Sequence, residues 1–130
     1  MITNEKIEGY LLKLSLSFDT VNDATWVIKD EDKGLENVVV MLAEPLVVIR
    51  VNVMEIPKTD RCEFFEELLK LNASDLIHGA YALDDSGVIL IDTLEGDSMD
   101  LEEFQASLDA IGLALVQHYR VLSKYRVKKA

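Results

Sequence analysis

Leu68-Leu69-Lys70-Leu71-Asn72-Ala73-Ser74-Asp75-Leu76-Ile77-His78-Gly79-Ala80-Tyr81-Ala82-Leu83 changes character halfway along. Leucines at 68, 69 and 71 close a helical pattern, and residues 72–75 are polar or small types that favour a break. From Gly79 the chain reads as a strand. No reactive motif lies in the stretch. It marks a joint between a helix and a hairpin, so the elements on either side decide the architecture.

Downstream, residues 79–83 and 88–91 pair across Asp84-Asp85-Ser86-Gly87, a strong hairpin turn. Asp100 and Glu103 then stand at capping-box spacing. Leu101, Phe104, Leu108, Ile111, Leu115, His118 and Leu122 follow by threes and fours, which predicts a helix of about 25 residues, roughly 37 Å long. Upstream, Asp60 precedes Glu63 at the same spacing, and a helix runs from there to about Leu71.

Before that helix, residues 37–42 and 46–54 form a hairpin joined by Ala43-Glu44-Pro45. In its second strand Val47, Ile49, Val51 and Val53 point one way. Leu46, Val48 and Met54 share the other face with Arg50 and Asn52, which suits a sheet covered by helices on one side. Residues 25–28 make an earlier strand around Trp26, residues 30–34 a turn, and residues 19–24 a polar break. At the start, Ile7, Leu11, Leu14 and Phe18 predict a helix over about residues 4–17, capped by Thr3 or Asn4. The expected fold is α+β in the order α-β-β-β-α-β-β-α, one domain over residues 1–130 with a twisted antiparallel sheet packed by helices.

Composition narrows the function. Of 130 residues 49% are hydrophobic, enough for a core, and the 24 acidic against 13 basic residues leave a net charge of -11. Five of the basic residues (Arg120, Lys124, Arg126, Lys128 and Lys129) sit at the C-terminus, so residues 1–118 carry 8 basic and 24 acidic groups, a net of -16. Such a body repels nucleic acid, and the basic end suits the negative pole of the last helix. No apolar run approaches the roughly 20 residues that cross a bilayer, and no leader segment is visible, so the expectation is a cytoplasmic protein without a membrane span.

Reactive chemistry finds little support. Cys62 is the only cysteine, so no internal disulfide forms; a reactive thiol there needs a base, and neither His78 nor His118 is spaced to supply one. The acidic run from Asp92 to Asp100 fails as a calcium loop, because counting back from Gly96 places apolar Ile91 at the first ligand position. No zinc, phosphate-loop or nucleophile-elbow spacing occurs, and Asp84-Asp85 is explained by its turn. The expectation is no enzyme, no metal and no cofactor.

Apolar surplus is more telling. Leu46, Val48 and Met54 are candidates for binding a partner, since contiguous apolar surface marks interaction sites. Phe64 and Phe65 stand about 100° apart on one helix, so that helix is either buried on two sides or meets another chain.

Five features together carry a resemblance: Thr25-Trp26-Val27, the valine-rich hairpin from Val38 to Val53, Leu68-Leu69-Lys70-Leu71-Asn72, His78-Gly79-Ala80-Tyr81-Ala82-Leu83-Asp84, and the helix opening at Met99-Asp100-Leu101-Glu102-Glu103-Phe104. Over about residues 3–124 the chain resembles the type III secretion chaperone family (the Tir-chaperone, or CesT-like, family) and its bacterial relatives, the YbjN-type domains. The resemblance implies a small acidic non-enzymatic protein, a homodimer whose middle helix, with Phe64, Phe65, Leu68 and Leu71, forms the dimer contact. Chaperones of this fold hold an unfolded segment of a secreted client along apolar grooves. The YbjN relatives imply instead a sensory or stress regulator with no secretion client.

Overall fold

In the computed structural model, residues 1–126 are described. They run as α1 (Asn4–Lys13), β1 (Phe18–Asn22), β2 (Thr25–Asp30), β3 (Leu35–Ala43), β4 (Leu46–Met54), α2 (Arg61–Ser74), β5 (Ala80–Asp84), β6 (Gly87–Glu95) and α3 (Leu101–Ser123). The strands form one antiparallel sheet in the order β1-β2-β3-β4-β6-β5. Lys128 and Lys129 of the basic C-terminal cluster lie outside the described residues.

The α+β class and the hairpin, middle-helix and long-helix expectations hold, with one strand more than the sequence suggested. β1 occupies the supposed polar break. Only Phe18 of that strand is shielded, so its ladder to β2 makes it a strand, not any alternation of apolar side chains.

α1 also stops four residues short of the expected end. Ser15 takes a left-handed φ of 55°, its N–H donates to Leu12 O, and Leu16 N–H donates to Leu11 O at 3.1 Å. That is the Schellman closure, with Leu11 and Leu16 both buried beneath it. Serine fills the place usually given to glycine, which hides the stop from a reader of the sequence. At the helix start Thr3 Oγ1 accepts from Lys6 N–H, as expected.

Caps elsewhere divide. Asp100 Oδ1 accepts from Glu103 N–H at 2.8 Å and caps α3. Asp60 precedes α2 but stands in the left-handed region, φ 56°, and its carboxylate makes no cap bond; a capping residue needs extended backbone. Glu63 instead accepts from the Tyr125 hydroxyl. α2 continues through the expected break because Asn72 is committed elsewhere. Its carboxamide accepts from Tyr81 N–H at 2.7 Å and donates to Tyr81 O at 3.1 Å. Among the described residues β6 is the only strand beside β5, so these are the backbone groups on the sheet's outer edge.

The core lies on one face of the sheet. Trp26, Ile28, Val38, Val40, Val47, Ile49, Val51, Val88 and Leu90 meet Ile7 and Leu11 of α1, Phe64 and Leu68 of α2, and Phe104, Leu108, Ile111 and Leu122 of α3 in one buried cluster. Each such fully buried aliphatic or aromatic side chain contributes about 1.5–3 kcal/mol relative to exposure. β4 keeps its alternation only as far as Val51. The β4–β6 register shifts between Asn52 and Met54, leaving Val53 unpaired and setting Met54 opposite Val88. Met54 therefore joins the helix side and packs against the core, not the face it was expected to share with Val48.

Candidate functional site

The other face of the sheet receives none of the helices' buried side chains. Its composition follows from register. One rung runs Val27, Val39, Arg50, Ile91 and Ala80 across five strands. The next runs Thr25, Met41, Val48 and Thr93, and Leu46 stands beyond it opposite Ala43 and Glu95. Val27, Val39, Met41, Val48 and Ile91 are half-buried by their neighbours, while Leu46 is 37% exposed. Half-buried apolar side chains thus lie on this face across β2, β3, β4 and β6, with Arg50 between Val39 and Ile91. Of the residues expected there, Leu46 and Val48 are present and Met54 is not. Val27, Val39, Met41 and Ile91 were not singled out in the sequence, because the pairings of β2 with β3, β3 with β4 and β4 with β6 together bring them to one face.

Ile89 is the exception on this face, 4% exposed. It lies between Asn52 and Ala82, and the ion pair of Arg50 on β4 with Asp84 on β5 spans the β6 strand that carries it. The Ser86 hydroxyl and N–H donate to Asp84, and with the Arg50 guanidinium they hold its carboxyl at about 2. A carboxyl lowered on folding adds stability that is complete above its unfolded value, about 4, and is lost as the pH falls from there through about 2. Asp84→Asn is therefore expected to lower the urea midpoint above pH 4 and to converge with wild type as the pH reaches 2. Midpoints differing by the same amount at every pH would contradict this assignment.

On α2 the apolar stripe is wide because the helix is packed on more than one side. Phe64, Leu68 and Leu71 are buried within the single chain, and the Phe64 ring stands 5.0 Å from that of Tyr125. Phe65 is half-buried under the Arg61 guanidinium, and Leu69 is the α2 leucine turned to solvent.

The family model CesT_Tir_1 matches residues 2–128. The chain belongs to the CesT_Tir_1 family. This is the family whose resemblance the Trp26 strand, the valine hairpin and the last helix carry. Among solved structures, a chain of the heterodimeric ExoU–SpcU complex from the type III secretion system of Pseudomonas aeruginosa superimposes with a TM-score of 0.73 at 20% identity, over 91% of this chain and 98% of that one. YbjN of E. coli, a candidate transcription regulator, superimposes with a TM-score of 0.66 at 16% identity, over 90% and 91%. At these identities the likeness is one of fold. No curated protein matches the sequence.

This CesT_Tir_1 member also holds a buried polar relay. Tyr81 Oη lies 2.7 Å from His118 Nδ1, and His118 Nε2 lies 3.4 Å from Asp75 Oδ2 without a satisfied hydrogen bond among the described residues. Burial and then the charge of Asp75 push the Tyr81 hydroxyl up, so it stays protonated and donates to Nδ1. The imidazole then directs its Nε2 proton at Asp75. His118 was expected on the buried stripe of α3, where it lies; its partners come from β5 and the end of α2, which no spacing reveals. Cys62 is exposed at the start of α2, and both nitrogens of His118 are turned to Tyr81 and Asp75. Among the described residues no three His, Cys, Asp or Glu side chains converge as metal ligands, and no helix is long and apolar enough to cross a membrane.

Proposed function

We propose that this CesT_Tir_1 protein is a non-enzymatic binding module that holds a partner polypeptide on the open face of its sheet. The observation that carries this reading is the apolar group of Val27, Val39, Met41 and Val48, with Ile91 beyond Arg50 and Leu46 at its rim. An uncovered apolar surface of this kind suits association with another chain. The net charge of -11 favours partner segments rich in lysine and arginine and disfavours nucleic acid. Support comes also from the family and from the likeness to a chain solved within a type III secretion complex. On this reading the protein works in the cytoplasm as a homodimer through α2, with Phe65 and Leu69 at the contact and Phe64, Leu68 and Leu71 bracing it from within.

The test combines affinity capture from native lysate with a surface variant. Met41→Thr with Val48→Thr places β-branched residues, which suit strands, at both positions while making the band polar. The variant is expected to fold, by circular dichroism, and to retain at least about tenfold less of the partner than wild type, as losing two apolar contacts implies. Equal capture by both proteins would remove the sheet face from the account. A monomer by light scattering at high concentration would remove the dimer. The fold likeness to YbjN favours a second reading, a regulatory module whose partner is not a secreted client; the identity of the captured protein separates the two.

A further inference from the structure

Away from the sheet face, a groove of about 370 Å³ runs between α3 and the turn that joins α2 to β5. Ile77 and Leu113 line it and are 90% and 58% exposed, and Ala106, Ala110 and Ala114 contribute one face at intervals of four residues. The acidic side chains that line it are Asp75 and Asp109, with His78 beside them, and no lysine or arginine lines it among the described residues. Asp75 is held in place from behind. Ser74 Oγ donates to its Oδ1 at 2.9 Å, and the His118 relay faces its Oδ2.

We propose that this groove is a docking site for a short amphipathic helix of a partner protein, apolar on its inner face and flanked by lysine or arginine. Four features favour that occupant. Small residues repeating every four positions on α3 leave a shallow channel into which the ridge of a second helix fits, with axes about 8–10 Å apart. An isoleucine and a leucine this exposed gain by being covered, since removing apolar surface from water is favourable. The acidic rim is complementary to basic flanks and opposes a second copy of this chain, since a twofold contact through the same groove would bring Asp75 and Asp109 against their equivalents. An added strand is disfavoured as well, because the outer edge of nearby β5 is occupied at Tyr81 by the Asn72 carboxamide. The site is separate from the sheet face and does not depend on the function proposed for it.

The probe is a fluorescent twelve-residue helical peptide with leucine and alanine on one face and two lysines at each end; its counterpart carries glutamates instead. Fluorescence anisotropy with the intact chain is expected to show binding of the lysine peptide and at least about tenfold weaker binding of the glutamate peptide. Ile77→Ser with Leu113→Ser, both exposed and so harmless to folding, is expected to weaken the lysine peptide about tenfold or more. Met41→Thr with Val48→Thr is expected to leave it unchanged, which keeps this result independent of the sheet-face reading. No binding, equal binding of the two peptides, or binding indifferent to the groove variant overturns the proposal. So does self-association of the wild type that the groove variant abolishes, for then a second copy is the occupant.

Discussion

Trp26→Ala is expected to cost about 3–5 kcal/mol, a large part of the roughly 5–15 kcal/mol that holds a domain folded. Trp26 is completely buried on the helix side of β2, where it pairs with Thr20 on one side and Val40 on the other. Its indole N–H donates to Glu8 Oε1 at 3.1 Å, so one side chain fills the core and ties α1 to the sheet. Alanine leaves a cavity that two ladders and a helix prevent from collapsing. Trp26→Phe is expected to lose less, since it keeps most of the packing and forfeits the indole donor. Guanidinium unfolding followed by circular dichroism measures both, because Trp26 is the sole tryptophan and its fluorescence disappears with it. A loss below 1 kcal/mol for the alanine variant would mean that the cluster around Trp26 is loosely packed.

Gly87→Val is expected to cost a comparable amount, for a different reason. Gly87 opens β6 with φ at 122°, and a Cβ placed there would stand 2.7 Å from Met54 O and 3.2 Å from Glu55 Cα. The backbone conformation costs a side-chain-bearing residue about 1–3 kcal/mol. Moving the main chain of β4 aside costs about as much again, as overpacking does. Gly9→Ala is the control, because a Cβ at that position of α1 meets nothing within 4 Å. There the change is expected to stabilise the protein by about 0.5–1 kcal/mol through helix propensity. Urea midpoints should thus move in opposite directions for two glycine replacements in one chain. A neutral result at Gly87 would sink the steric account of how β4 and β6 meet at the bulge.

Periodicity made the valine hairpin and α3 legible, because both bury one face of a long regular element. β1 escaped notice since four of its five residues are exposed, and its state is set by the partner strand. The end of α1 was obscured by Ser15, whose left-handed backbone is one that serine seldom adopts. At the candidate site Leu46 and Val48 could be found from alternation within β4 alone. Met54 could not be placed, since one unpaired residue, Val53, reverses every side chain after it, and a bulge leaves no compositional mark. The same limit applies to Val27, Met41 and Ile91, whose adjacency belongs to the register between strands and, for Ile91, to the pairing of β4 with distant β6. Tyr81, His118 and Asp75 are a joint product of three elements, and none of the three residues is unusual where it stands.

The Asn72 carboxamide has a consequence for the protein at high concentration. A sheet that grows by joining one molecule's margin to the next requires two free margins on every copy. Here the margin at β5 is plugged at Tyr81, the second of its five residues, by a side chain. Edge-to-edge pairing on that side must first displace the Asn72 carboxamide from Tyr81, so growth there is opposed without a charged gatekeeper at that position.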